Sequence, residues 1–137
     1  MTATKKTATH GLLDPFDDAA AIATRLYSAR TVLIVVIGAE QWCEKCRKLK
    51  PEFEKLAAVS ETDVMLWFDL EEHQEFLGGY IPESLPEVLI YRNMQLISRS
   101  LLPDGKATSL LTAMREITDP AGEDPGIARR LVREDWT

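Results

Sequence analysis

A chain of 137 residues holds one domain with a proper core and not two comfortable ones. Its net charge of -6 supports solubility, and the basic residues form no long stripe, which argues against a nucleic-acid partner. The longest apolar run, VLIVVIGA, falls well short of the about 20 residues that cross a bilayer, so no membrane partner is expected.

In chain order, residues 1–13 are small and polar and are expected to form a flexible N-terminal arm. MTATKKTATHG has lysines but no apolar segment after them, so it is not read as a secretory signal and the expected location is cytoplasmic. The domain itself is expected over 14–118 and a C-terminal extension over 119–137. Asp14-Pro15 has the form of an N-cap followed by a helix-opening proline. FDDAAAIATRLYSA continues that helix, with Ala19, Ile22 and Leu26 on one face. Residues 31–37 are apolar at nearly every position, as in a strand covered on both faces. Residues 42–59 return to helical spacing, with Cys46, Leu49, Phe53, Leu56 and Ala57 sharing a face.

DVMLWFDL reads as the next strand, with Trp67 and Phe68 in the core. Residues 71–77 read as a short helix with a solvated His73 and a closing Gly78-Gly79. The loop YIPESLP leads into two strands, EVLIYRN and QLISRSL, joined by a tight turn at Asn93-Met94 into an antiparallel hairpin. Ala107, Leu110, Leu111, Met114 and Ile117 mark a further amphipathic helix. In the tail, Asp124-Pro125 opens a short helix with Ile127, Leu131 and Val132 on one face. The βαβ run over 31–70 requires a parallel pair with a right-handed crossover. The hairpin adds antiparallel strands, so the expected class is α/β with a mixed four-stranded sheet and helices on both faces.

Both cysteines lie in QWCEKCRKLKP, at the junction of a strand and a helix. In a reducing compartment such a pair is a poor structural staple, which leaves redox or metal chemistry. A structural zinc site takes four ligands; there is no second Cys-x-x-Cys, and the histidines are His10 in the arm and His73 far along the chain. No metal and no cofactor is therefore expected. At a helix N-terminus the unpaired N–H groups favour a thiolate at Cys43, while Cys46 lies one turn further in. Cys43 is thus the expected nucleophile and Cys46 the expected resolving thiol of a thiol–disulfide exchange. Trp42 offers a flat apolar surface to a substrate. Between the sulfurs, Lys45 favours the Cys43 thiolate and Glu44 opposes it, so both tune the site.

WCEKCRKLKPEFEKLA resembles the active-site helix of the thioredoxin family. Trp42, Cys43, Cys46, Arg47, Leu49, Pro51 and Leu56-Ala57 stand at the family's spacing. SLPEVLIYRN resembles the segment in which the family carries a cis proline facing the dithiol, with Leu85-Pro86 as the equivalent bond. The resemblance covers about residues 14–118 and implies a thioredoxin-like fold. It also implies that Leu85 and Pro86 line the substrate site, that the partners are protein disulfides, and that an upstream reductase or other donor supplies electrons. The chain departs from the family's pattern at several places: Glu44-Lys45 stands in place of Gly-Pro, apolar Ile37 (or Val36) stands in place of a buried aspartate, Trp67 falls near the place of that aspartate's lysine partner, and the loop after the hairpin reads SLLPDG. The expected function is a thiol–disulfide oxidoreductase working as a reductase. The alternative, which the missing buried acid and the altered loop favour, is a thioredoxin-like adaptor or chaperone for a dedicated client.

Overall fold

The computed structural model describes residues 12–28, 30–60, 63–102, 104–115 and 124–133. Of the expected arm, residues 1–11 lie outside that set, as do Ile117 and much of the extension. Leu13, at the end of the arm, is buried and bridges to Leu66 in parallel.

Asp14 caps a separate turn before the first helix. Its carboxylate accepts the N–H groups of Phe16 and Asp17, both at 2.8 Å. Its own N–H donates to Asp18 at 2.7 Å. The α-helix therefore begins only at α1 (Ala19–Leu26), four residues later than the Asp14-Pro15 signature suggests, and it buries Ala19, Ile22 and Leu26.

The sheet comprises β1 (Val32–Gly38), β2 (Val64–Asp69), β3 (Glu87–Arg92) and β4 (Gln95–Leu101) in the order β2-β1-β3-β4. β1 and β2 are parallel, while β3 runs antiparallel to both β1 and β4. β1 joins β2 through α2 (Glu44–Val59), a crossover that parallel pairing demands. Asn93 and Met94 both take positive φ, 52° and 67°, the two-residue turn whose twist matches a hairpin. A methionine holds this backbone while its side chain packs against the core.

Alternation along the strands divides the interior. Leu33, Val35 and Ile37 of β1, with Leu66 and Phe68 of β2, face α1, α3 (Gln74–Leu77) and α5 (Ile127–Arg133). Ile34, Val36, Met65, Trp67, Val88 and Ile90 face α2 and α4 (Ala107–Arg115). In α4 the buried positions are Leu110 and Ala113, with Leu111 and Met114 at the margin. The small Ala113 lets the helix lie close, and larger neighbours of the expected stripe flank the contact. In the extension, Ile127, Ala128 and Leu131 are buried in the first of these cores, and Asp124 accepts the Tyr91 hydroxyl at 2.7 Å.

His73 is not a solvated helix end. It is half-buried between Phe16 and Phe68, with ring centroids at 5.8 and 5.7 Å. Its Nδ1 accepts the N–H of Asp69 at 2.9 Å. The polar run around it, DLEEHQE, hid this because the aromatic partners come from elsewhere in the chain or from the preceding strand.

Candidate active site

The dithiol forms where β1 ends and α2 begins. Cys43 is the N-cap of α2, with φ -109° and ψ 104°, and its sulfur accepts the backbone N–H of Cys46 at 3.2 Å. A Cys-x-x-Cys here puts the first sulfur at the open helix end and the second one turn inside. The two are joined as a disulfide, with Cα atoms 5.2 Å apart. Cys46 is fully buried and Cys43 nearly so. A sulfur receiving a helix N-terminal N–H is favoured as thiolate once the bond opens.

Trp42, beside the pair, is 61% exposed, so its ring is an open apolar face rather than core. Leu85 is half-buried and packs against the same core as Cys43 and Cys46. The Leu85-Pro86 peptide bond is cis, and the Pro86 carbonyl accepts the Leu102 N–H at 3.0 Å. Five of the site residues read from sequence, Trp42, Cys43, Cys46, Leu85 and Pro86, thus lie at or beside this end of the sheet. Glu44 and Lys45 are exposed on the first turn of α2. Glu44 pairs directly with Lys48 at 3.6 Å on the exposed face of the helix, a contact of small energetic weight. Behind Lys45 sits Gly105, where a Cβ would come within 2.8 Å of the Lys45 Cβ, and its φ of 62° also suits glycine. The loop after β4 therefore closes directly on the CxxC turn.

Several residues around the dithiol carried no sequence signal. Asp69, at the end of β2, is buried. Its Oδ2 accepts the Glu40 N–H at 3.0 Å, and its Oδ1 accepts those of Glu71 and Glu72 at 2.9 and 3.3 Å. One carboxylate thus ties the loop before the dithiol to the loop after β2. Glu40 itself is engaged: its carboxylate pairs with Lys50 at 2.8 Å, and its carbonyl accepts from Arg47 at 2.8 Å.

Ile37 is fully buried, faces the helix layer away from α2, and stands opposite Glu87 of β3. Glu87 follows Pro86, accepts the Tyr80 hydroxyl at 2.6 Å and lies 3.7 Å from Arg99. Burial pushes the Glu87 carboxyl up, opposed by the Tyr80 hydrogen bond and by Arg99. Burial, followed by the bond to Glu87, pushes the Tyr80 hydroxyl up as well.

The wall beside Cys46 is Trp67. A Cβ at Gly38 would lie 2.6 Å from Trp67 Cζ2 and 3.2 Å from Cys46 Cβ, so only glycine lets the indole approach. Phe53 packs on the ring with centroids 6.3 Å apart, and the Lys50 ammonium sits 5.7 Å from its centroid. The indole N–H is buried and has no acceptor among the described residues. Such an orphan donor costs about 1–3 kcal/mol. A glycine ending an apolar strand was the available hint of close approach.

A dithiol at a helix start, on a mixed sheet with a proline loop beside it, defines a thiol–disulfide exchange domain. The thioredoxin family profile matches residues 20–116. The thioredoxin of Mycobacterium bovis is 28% identical over 120 residues, covering 87% of this chain and 95% of its own. A Mycobacterium tuberculosis thioredoxin matches to the same extent. Among solved structures, spinach chloroplast thioredoxin f superposes with a TM-score of 0.60 at 18% identity, over 80% of this chain and 96% of that one. Schistosoma mansoni thioredoxin gives 0.61 at 14%, over 80% and 97%. The chain belongs to the thioredoxin family. With its Cys43–Cys46 pair within disulfide reach, it is a thiol–disulfide oxidoreductase. Among the described residues, no helix is long and apolar enough to cross a membrane.

Proposed function

We propose that the protein is a disulfide reductase of protein substrates, with Cys43 as nucleophile and Cys46 as resolving thiol. The observation that carries this reading is the Cys43 sulfur at the N-cap of α2, accepting the Cys46 N–H. The Cys43 thiolate attacks one sulfur of a substrate disulfide, and the other substrate sulfur leaves as a thiolate. The Cys46 thiolate then attacks Cys43 Sγ, closing the Cys43–Cys46 disulfide and releasing the second substrate thiolate. Two electrons pass to the substrate. A dithiol on an upstream reductase returns the pair to the reduced form. A solved complex of ferredoxin:thioredoxin reductase with thioredoxin f2, whose thioredoxin fold this chain shares at a TM-score of 0.60, supports a partner of that class.

Trp42, Leu85 and Pro86 form the substrate surface in this reading. Trp42 supplies exposed apolar area, and Leu85 meets an extended peptide segment beside the sulfurs. Glu44 and Lys45 tune the Cys43 thiolate with opposite signs. The cytoplasm, a reducing compartment, is consistent with a reductase direction. The test is reduction of a model protein disulfide with dithiothreitol as electron source. Cys43→Ser abolishes turnover, and Cys46→Ser accumulates mixed disulfides with client proteins. Turnover that survives Cys43→Ser overturns the assignment. An empty Cys46→Ser trap turns the reading toward a client-binding adaptor.

A further inference from the structure

We propose that the groove around the C-terminal end of α3 binds a segment of the client protein that carries an apolar side chain followed by a lysine or arginine. The inference rests on the chain acting on protein disulfides, and it names which clients the chain selects.

Two cavities make the groove. One, of about 390 Å³, lies between Leu70, Gln74 and Leu77. The other, of about 820 Å³, runs from Leu77 past Glu87 and Arg99 to Leu101 and Asp124. They meet at Leu77, Gly79, Tyr80 and Ile81, which line both. Gly79 leaves this junction open, since a Cβ there would meet no atom within 4 Å. Ile81 is 76% exposed and Leu101 39% exposed, so the groove offers apolar surface that the domain itself does not cover.

The groove begins at the dithiol end of the sheet. The Leu70 N–H donates to the Gly38 carbonyl at 2.9 Å, and Gly38 packs against Cys46. Leu70 and Leu85 both pack against the two cores, where the helix layers meet. Tyr80, Ile81 and Glu83 belong to the loop that ends in Leu85-Pro86. A client backbone that passes Leu85 beside the sulfurs therefore meets this groove next.

Charge divides the groove into two parts. The residues lining the smaller cavity carry no charge. The larger cavity gathers Glu83, Glu87 and Asp124 against Arg99 alone. Arg99 is engaged within the wall, 3.7 Å from Glu87 and 5.6 Å from the Tyr80 ring centroid. Glu83 is exposed and makes no hydrogen bond or ion pair among the described residues. Glu87 is buried; burial pushes its carboxyl up, and an entering cation favours its ionised form. An ammonium or guanidinium side chain thus gains carboxylate neighbours here, and an acidic one is repelled. The same sign disfavours a second copy of this chain, whose net charge is -6.

The experiment titrates two synthetic, cysteine-free peptides into the full chain with its disulfide closed, followed by backbone amide resonances in NMR. Each peptide carries a leucine, followed in one by lysine and in the other by glutamate. The lysine peptide is expected to shift the resonances of residues 77–81 and Glu83, and to bind about fivefold tighter than the glutamate peptide at low salt. Glu83→Lys, at an exposed position, should reverse that preference. Ile81→Ala should weaken both peptides alike. Equal affinities, a preference that Glu83→Lys leaves unchanged, or shifts confined to other parts of the chain overturn the proposal. Shifts at the groove that grow with protein concentration alone assign it to a second copy of the chain and overturn it as well. None of these readouts uses the thiols, so expected binding with failed turnover counts against the reductase reading alone.

Discussion

Asp69 accepts the backbone N–H of Glu40 at 3.0 Å, so the last residue of β2 anchors the loop that carries Trp42 and Cys43. Val36, Ile37 and Gly38 pair in parallel with Trp67, Phe68 and Asp69, which aims the buried carboxylate at this loop. Asp69→Ala leaves the N–H groups of Glu40, Glu71 and Glu72 without their acceptor. The expected cost is roughly 3 kcal/mol of unfolding free energy, read by urea denaturation. Asp69→Asn, which keeps one acceptor oxygen, should recover part of it. A change below about 0.5 kcal/mol for the alanine variant would show that water replaces the carboxylate.

Gly38→Ala puts a methyl group 2.6 Å from the Trp67 ring, against a wall already fixed by Phe53. Overpacking of this kind costs about 1–3 kcal/mol. The variant should show altered tryptophan fluorescence and slower closure of the disulfide under a mild oxidant. A fluorescence spectrum and closure rate equal to the parent's would contradict the tight approach.

Burial lowers the pKa of His73 below its ordinary 6.5, against the raising pull of Asp14, Glu72 and Asp69 and with the help of Lys50. The folded state therefore binds the proton less readily than the unfolded chain. The neutral ring's contribution to stability is fully present above about pH 6.5 and is lost as pH falls through the depressed native pKa. Protonation also removes the Nδ1 acceptor from the Asp69 N–H. A series of urea melts should show stability declining below pH 6.5 in the parent and a flatter profile over that interval in His73→Phe. Parallel profiles would assign the acid limb to the carboxylates.

Ile127 is fully buried although it lies past the family match, which ends at residue 116. Ile127→Ala is expected to cost about 2–5 kcal/mol in a single cooperative transition. A loss below about 1 kcal/mol would point to a helix docked only weakly on the domain, free to serve a partner instead.

The order of elements and the position of the dithiol are local properties, and the sequence alone determined them. Apolar period separates the strand VLIVVIG from the helix of 44–59, and a CxxC at their junction can only sit at a helix start. The family motif rests on that same short stretch and on SLPEVLIYRN. Tertiary structure decided what surrounds the sulfurs. Trp67 and Asp69 reach the dithiol through the β1–β2 register, and a slip of one residue would send both to the opposite face. His73 joined an aromatic cluster because Phe16, in the turn before α1, packs against both His73 and Phe76. The α5 contact with Tyr91 and the close approach of Trp67 to Gly38 depend likewise on partners brought together from distant parts of the chain. Side-chain pattern reports which face of an element is apolar; only packing decides which residue from another element fills the space in front of it.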